Sequence, residues 1–205
     1  MEKTGSIFLS HSQKAFIVVA VLATTFLYSH YQKGLYEGFV NKAPTLILKE
    51  MPDFQAIDVY SNELISKKTF LNKGKGTLVH FWGTWCAPCE AELPSFLKLS
   101  KKLAQENVTV LILAVNDEEV AVKKFLKRFG KDRPKNILFG LDKEGASLPL
   151  YGSVKVPETY LFSNQLRHLD KFVGPQDWAH KTYRDRILRL LNATIASNKK
   201  DVETH

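Results

Sequence analysis

The run LVHFWGTWCAPCEAELP, residues 78–94, changes its period part-way along. Leu78–Gly83 is a short apolar stretch, the pattern of a buried strand. From Cys89 to about Gln105 the residues Leu93, Phe96, Leu97, Leu99 and Leu103 form one broad apolar face at helical spacing. The only two cysteines of the chain, Cys86 and Cys89, stand at the junction. A strand running straight into a helix therefore carries both thiols at the start of the helix, one turn apart on the same face. Pro88 suits that place, because an early helical position has no N–H bond to lose.

The same reading extends along the chain. Val108–Val115, VTVLILAV, is a buried strand by length and β-branched content. Asp117–Phe129 is an amphipathic helix with Val120, Val122, Phe125, Leu126 and Phe129 apolar, and Gly130 ends it. Asn136–Gly140 is a third strand. Thr159–Ser163 and Leu169–Val173 flank Asn164-Gln165 as a hairpin. Asp177–Leu191 is a last helix, and the polar residues after it read as a frayed tail. Strand, helix, strand, helix, strand, hairpin and helix predict an α/β domain whose mixed sheet has helices packed against it.

At the amino end, AFIVVAVLATTFLY, Ala15–Tyr28, has no charge, Gly or Pro and follows Lys3 and Lys14. Fourteen helical residues span about 21 Å, short of a hydrocarbon core of about 30 Å, and continuation through Tyr31 closes much of the gap. Tyr28-Ser29-His30 makes a poor cleavage site, so the segment reads as an uncleaved signal anchor, with the bulk of the chain outside the cytoplasm. The expected organisation is a cytoplasmic segment over 1–14, an anchor over 15–31, a connector over 32–50, the α/β domain over 51–195 and a flexible tail over 196–205. The net charge of +8 is spread along the chain without a basic block, which marks a solvated surface rather than a nucleic-acid site.

Two cysteines are too few for a disulfide scaffold or a four-thiolate zinc site. Their spacing leaves open two buried thiols that happen to be close, half of a metal site, or a dithiol that opens and closes a small ring. Trp85 directly before the pair, with no second Cys-x-x-Cys and no nearby histidine cluster, favours the redox reading. The thiolate is the nucleophile in that chemistry. Lowering a thiol pKa from about 8.5 to about 6.5 takes roughly 2.7 kcal/mol of preferential anion stabilisation. A helix dipole supplies at most about 2 kcal/mol, so hydrogen bonds from Cys89 must add the rest.

Residues 51–178 resemble the membrane-anchored extracytoplasmic thioredoxin-like proteins, the TlpA, ResA and CcmG/DsbE group of thiol–disulfide oxidoreductases. MPDF at residue 51, HFWGTWCAPC, Pro94 five residues past Cys89, and YGSVKVPETYLF at 151–162 carry the resemblance. The segment at about 117–140 matches the insertion that separates the group from plain thioredoxin. The resemblance implies a thioredoxin-like fold with that insertion and no organic cofactor or metal. It implies that Cys86 attacks, that Cys89 resolves, and that the Val156-Pro157 bond is cis. Val156, Trp85, Ala87 and Pro88 would then line the substrate surface.

Two further residues each have two readings. Glu92 is a solvated surface glutamate, or an acid that moves protons for the thiols, as the matching glutamate is thought to do in the ResA-like group. His80 departs from the aspartate or asparagine of the resembled proteins. A satisfied core histidine is preferred for it over proton handling. The resemblance further implies a protein-disulfide reductase, with apocytochrome c thiols as one target and a membrane thiol transporter of the CcdA/DsbD type as electron donor. The rivals are a thiol peroxidase, which normally lacks a Trp-Cys-x-x-Cys pair, and a Sco-like metallochaperone, whose cysteines are spaced one residue wider. The anchor reading predicts that the full chain fractionates with membranes at full mass. Recovery of a mature chain lacking residues 1–30 would refute it.

Overall fold

The structure is a computed structural model describing residues 10–42, 48–129 and 134–203. Gly130, expected to end a helix, lies outside the described residues. Residues 1–45 and 46–205 form two separate units.

The first unit holds helix α1, His11–Lys42. Its segment Ser12–Tyr31 is long and apolar enough to cross a membrane, and Phe16, Leu22 and Phe26 are exposed. Thr24 and Thr25 donate their hydroxyls back to the carbonyl of Val21, which satisfies them within the helix. The connector expected over 32–50 is helical as far as Lys42. Gly34 and Gly38 weaken a helix without stopping it, and the first proline after them is Pro44.

In the second unit the chain runs through β1 (Gln55–Asp58), β2 (Leu64–Ser66), β3 (Gly76–Trp82), α2 (Ala87–Gln105), β4 (Val108–Val115), α3 (Glu119–Leu126), β5 (Ile137–Asp142), the short α4 (Ser147–Leu150), β6 (Glu158–Ser163), β7 (His168–Val173) and α5 (Lys181–Glu203). The strands make one sheet in the order β2-β1-β5-β4-β3-β6-β7. β3, β4 and β5 are parallel, and the remaining pairings are antiparallel. Every residue of β3 and β4 is buried, as strands covered on both faces must be.

Two cores follow from the alternation of side chains along each strand. Leu78, Trp82, Val110 and Ile112 pack on one face with Leu93, Phe96 and Leu103 of α2, Val122 of α3, and Ile187 and Leu191 of α5. Val79, Phe81, Leu111 and Leu113 pack on the other with Met51, Phe54, Phe70 and Tyr151. His80 alternates with Val79 and Phe81, so it belongs to the α2 face.

Four expectations need correction. The folded domain begins before Met51: His168 N donates to the carbonyl of Lys49, and Glu50 bridges Arg167. The last helix starts at Lys181, because contacts to Glu92 hold residues 176–178 in a loop. It also runs through the expected tail to Glu203, since no Gly or Pro follows Lys181 to stop it. Val120, assigned to an apolar face, is 80% exposed. Strands β1 and β2 had no counterpart in the sequence reading; they are only four and three residues long.

Gly76 shows how tightly the last helix seats. A Cβ there would lie 2.4 Å from Leu191 Cδ2 and 2.4 Å from the backbone oxygen of Phe162. The side chain can move, but the sheet carbonyl cannot. Gly76→Ala is expected to lower stability by about 1–3 kcal/mol in urea melts. A variant as stable as the parent would show that this end of β3 yields.

Candidate active site

β3 ends at Trp82, and after a tight turn α2 begins. Cys86 is the N-cap of α2, in extended conformation. Ala87 and Pro88 occupy the first helical positions, both exposed, where the missing proline N–H is harmless. Cys86 and Cys89 form a disulfide across 5.3 Å between Cα atoms. Cys86 keeps 7% of its surface exposed and Cys89 none. The Cys89 N–H donates to Cys86 Sγ at 3.3 Å. Helix dipole and amide thus point at the sulfur of the less buried cysteine, which favours a thiolate there when the bond opens.

The turn before the pair is clamped by a residue placed in the sequence reading only at the start of a helix. Both carboxylate oxygens of the buried Asp117 hold Thr84, one accepting its N–H at 2.6 Å and the other its hydroxyl at 2.9 Å. The Trp85 indole N–H donates to the Asn116 carbonyl at 2.9 Å, which leaves the ring 58% exposed beside Cys86. β4 runs beside β3 in parallel, so its end meets the same loop. An aspartate two residues past an apolar strand was the signal available in the sequence.

On the other side of β3, β6 opens with Glu158 opposite Phe81. The Val156-Pro157 bond is cis. Val156 packs against the core that contains both cysteines. Glu158 points elsewhere: its carboxylate accepts the Tyr160 hydroxyl at 2.9 Å and pairs with Lys171 at 2.8 Å. Burial and the Glu158 charge push the Tyr160 phenol up, keeping it a neutral donor.

Glu92 lies three residues past Cys89 on α2, and it is buried, not a solvated surface residue. Its Oε2 accepts the Gln176 N–H at 2.7 Å and the Trp178 indole N–H at 3.1 Å. Burial outweighs these two donors and pushes its pKa from near 4.5 up to about 7. His80 Nε2 lies 3.6 Å from Glu92 Oε1. His80 Nδ1 is 2.8 Å from the hydroxyl of Thr159, and the ring stacks on Phe96 at 4.1 Å. Complete burial pushes the imidazole down to about 3, so it is neutral at physiological pH.

A helix-capping disulfide whose second cysteine is fully buried while the first keeps some exposure, with a cis-proline segment against the same core, suits thiol–disulfide exchange. The redoxin family pattern matches residues 48–162. Thiol-disulfide oxidoreductase ResA of Bacillus cereus is 33% identical over 143 residues, 69% of this chain and 79% of that protein. The chain is a thioredoxin-like thiol–disulfide oxidoreductase of the ResA type. ResA of Geobacillus thermodenitrificans is 32% identical over 123 residues, covering 60% of this chain and 67% of its own. Among solved structures, the thioredoxin-family thiol:disulfide interchange protein of Chlorobium tepidum superposes with TM-score 0.55 at 23% identity, over 70% of this chain and 96% of that one. StoA of Bacillus subtilis does so with TM-score 0.52 at 22% identity, over 66% and 96%. The solved structures carry the fold, and the ResA sequences carry the chemistry of the Cys-x-x-Cys pair.

In this ResA-type site Glu92 titrates near 7 when folded and near 4.5 when unfolded. Between those values the folded state holds the extra proton, so stability falls as pH rises through that window. Replacing the acid removes this penalty. Glu92→Gln is therefore expected to gain on the parent, by up to about 3 kcal/mol, as pH rises from 4.5 to 8. Paired thermal melts of the disulfide form check this, and a difference constant with pH would exclude titration of Glu92.

Proposed function

We propose that the protein reduces disulfides in exported protein substrates from the outer face of the cytoplasmic membrane, held there by α1 as a single-pass anchor. The reduced Cys86 thiolate attacks a substrate disulfide, forms a mixed disulfide and releases one substrate thiolate. The Cys89 thiol then gives its proton to the Glu92 carboxylate and attacks Cys86 Sγ. The second substrate thiolate leaves, and the Cys86–Cys89 disulfide remains. The substrate has gained two electrons from the Cys86–Cys89 pair; its first thiolate takes a proton from solvent, and a proton equivalent to the one Glu92 received from Cys89 goes to the second, which restores the carboxylate. Two electrons from a membrane dithiol carrier of the CcdA/DsbD type would restore the pair. Apocytochrome c thiols are one substrate class consistent with the resembled group.

The observation that carries the assignment of roles is the unequal exposure of the two cysteines, 7% of the residue for Cys86 and none for Cys89. Only Cys86 can meet a substrate, while Cys89 can reach only the bond that Cys86 has made. Support for the reducing direction comes from Glu92. A carboxylate one turn from Cys89 disfavours thiolates there and so destabilises the reduced, ionised pair. Trp85, Ala87, Pro88 and Val156 would form the surface that an extended substrate segment meets, with the Val156 backbone pairing to it.

Cys89→Ser is expected to accumulate mixed disulfides with substrate, and Cys86→Ser to trap none. Equal trapping by both variants, read on non-reducing gels, would reverse or cancel the roles. A potential at or below about −270 mV against glutathione supports a reductant, and one near −120 mV would make the protein an oxidant.

A further inference from the structure

The Glu92 carboxyl is held at one oxygen only. Oε1 has no hydrogen-bond partner among the described residues, and neither has His80 Nε2. These two orphaned atoms face each other at 3.6 Å in a core where His80 is fully buried and Glu92 is 5% exposed. At that distance they are not yet hydrogen-bonded. A modest closure would bond them, and each is otherwise a buried polar atom left unsatisfied.

The third member of the set is Thr159. Its hydroxyl, 2.8 Å from His80 Nδ1, can either donate or accept. Two complete arrangements follow. In one, the Glu92 carboxylic acid donates to Nε2, and Nδ1–H donates to Thr159. In the other, the Glu92 carboxylate accepts from Nε2–H, and the Thr159 hydroxyl donates to Nδ1. The first holds one proton more than the second, and the imidazole is neutral in both. An asparagine or aspartate could not offer this exchange, because only imidazole carries a nitrogen toward each partner.

The surroundings leave the trio to itself. On β3 and β4 the neighbours of His80 are the apolar Val79, Phe81 and Ile112. On β6, Glu158 is taken up by Lys171 and Tyr160. From α5, the Tyr183 hydroxyl donates to Gln176 Oε1 at 2.7 Å, and its ring packs on Trp178. The titratable groups of α2 in the same core are Cys86 and Cys89.

We infer that His80 is a positioning residue for the acid, holding Glu92 in either protonation state by switching which ring nitrogen bears the hydrogen. The inference rests on the proposed role of Glu92 as acceptor of the Cys89 proton. In the acid form the carboxyl keeps its hydrogen bond by donating to Nε2, and the imidazole bears its hydrogen on Nδ1, toward Thr159, one hydrogen being given up at Nε2 and another taken up at Nδ1.

The test uses the full chain in detergent micelles, labelled at the histidine nitrogens and titrated by NMR. His80 is expected to carry its hydrogen on Nδ1 in acid and on Nε2 in base. The midpoint should coincide with the Glu92 carboxyl titration seen in the infrared, and Glu92→Gln should freeze one tautomer. A single tautomer throughout, a switch that survives Glu92→Gln, or an imidazolium in this range would overturn the inference.

Two substitutions separate positioning from packing. Glutamine places its amide where Nε2 stands, and asparagine where Nδ1 stands. His80→Gln is expected to hold the Glu92 midpoint within a few tenths of a unit, and His80→Asn to raise it by about one unit. Equal shifts, or the reverse order, would assign His80 to packing alone. Exchange with a small disulfide, measured on the same samples, keeps the two readings apart. A tautomer switch without exchange would sink the proposed function, and exchange without the switch would sink this inference.

Discussion

Strand β3 is paired along both edges, to β4 in parallel and to β6 in antiparallel register, and all seven of its residues are buried. Nothing in the active site is fixed without it. Its end delivers Cys86 to the first turn of α2, its neighbour β4 ends two residues before the Asp117 that clamps Thr84, and its neighbour β6 opens directly after Pro157. A strand held on both edges and both faces cannot slip, because a one-residue shift would send Leu78, His80 and Trp82 to the wrong core. The cysteines therefore stand on a fixed mount, and the groups around them come from loops that the same mount places.

The site gives up stability at one point. A buried carboxyl with two donors on one oxygen and none on the other is disfavoured as an anion, and its pKa stands near 7 instead of 4.5. The same carboxyl organises the structure, since it ties residues 176 and 178 to α2 and so decides where α5 begins. Its burial is what suits it to take a proton near neutral pH. A hydrophobic residue at position 92 would relieve the burial penalty but would release the loop. The acid is retained where an isolated helix would have left it in water.

Some elements stood plainly in the sequence. The run Val108–Val115 forms a strand with the bounds its composition sets, and the apolar face of residues 89–105 forms α2. Both patterns are long and one-sided, so no tertiary contact has to choose between alternatives. The place of the Cys-x-x-Cys pair at a strand-to-helix junction was likewise a local fact, and Trp85 beside it, with no second Cys-x-x-Cys in the chain, favoured the redox reading over the others that its spacing allows.

What tertiary structure decided is where polar atoms at distant positions meet. Asp117 is 33 residues from Thr84, Thr159 is 79 from His80, and Trp178 is 86 from Glu92. No local period encodes such pairs, so the sequence left Glu92 open between surface and site, and Asp117 read as the start of a helix. His80 was preferred as a satisfied core histidine, and one of its nitrogens is satisfied by Thr159 while the other looks to Glu92. The sequence by itself determined the strands from β3 onward, the bodies of α2, α3 and α5 and the place of the two cysteines, through patterns within single elements. The surroundings of those sulfurs were decided only in three dimensions, because burial and hydrogen bonding belong to pairs of elements and to neither one alone.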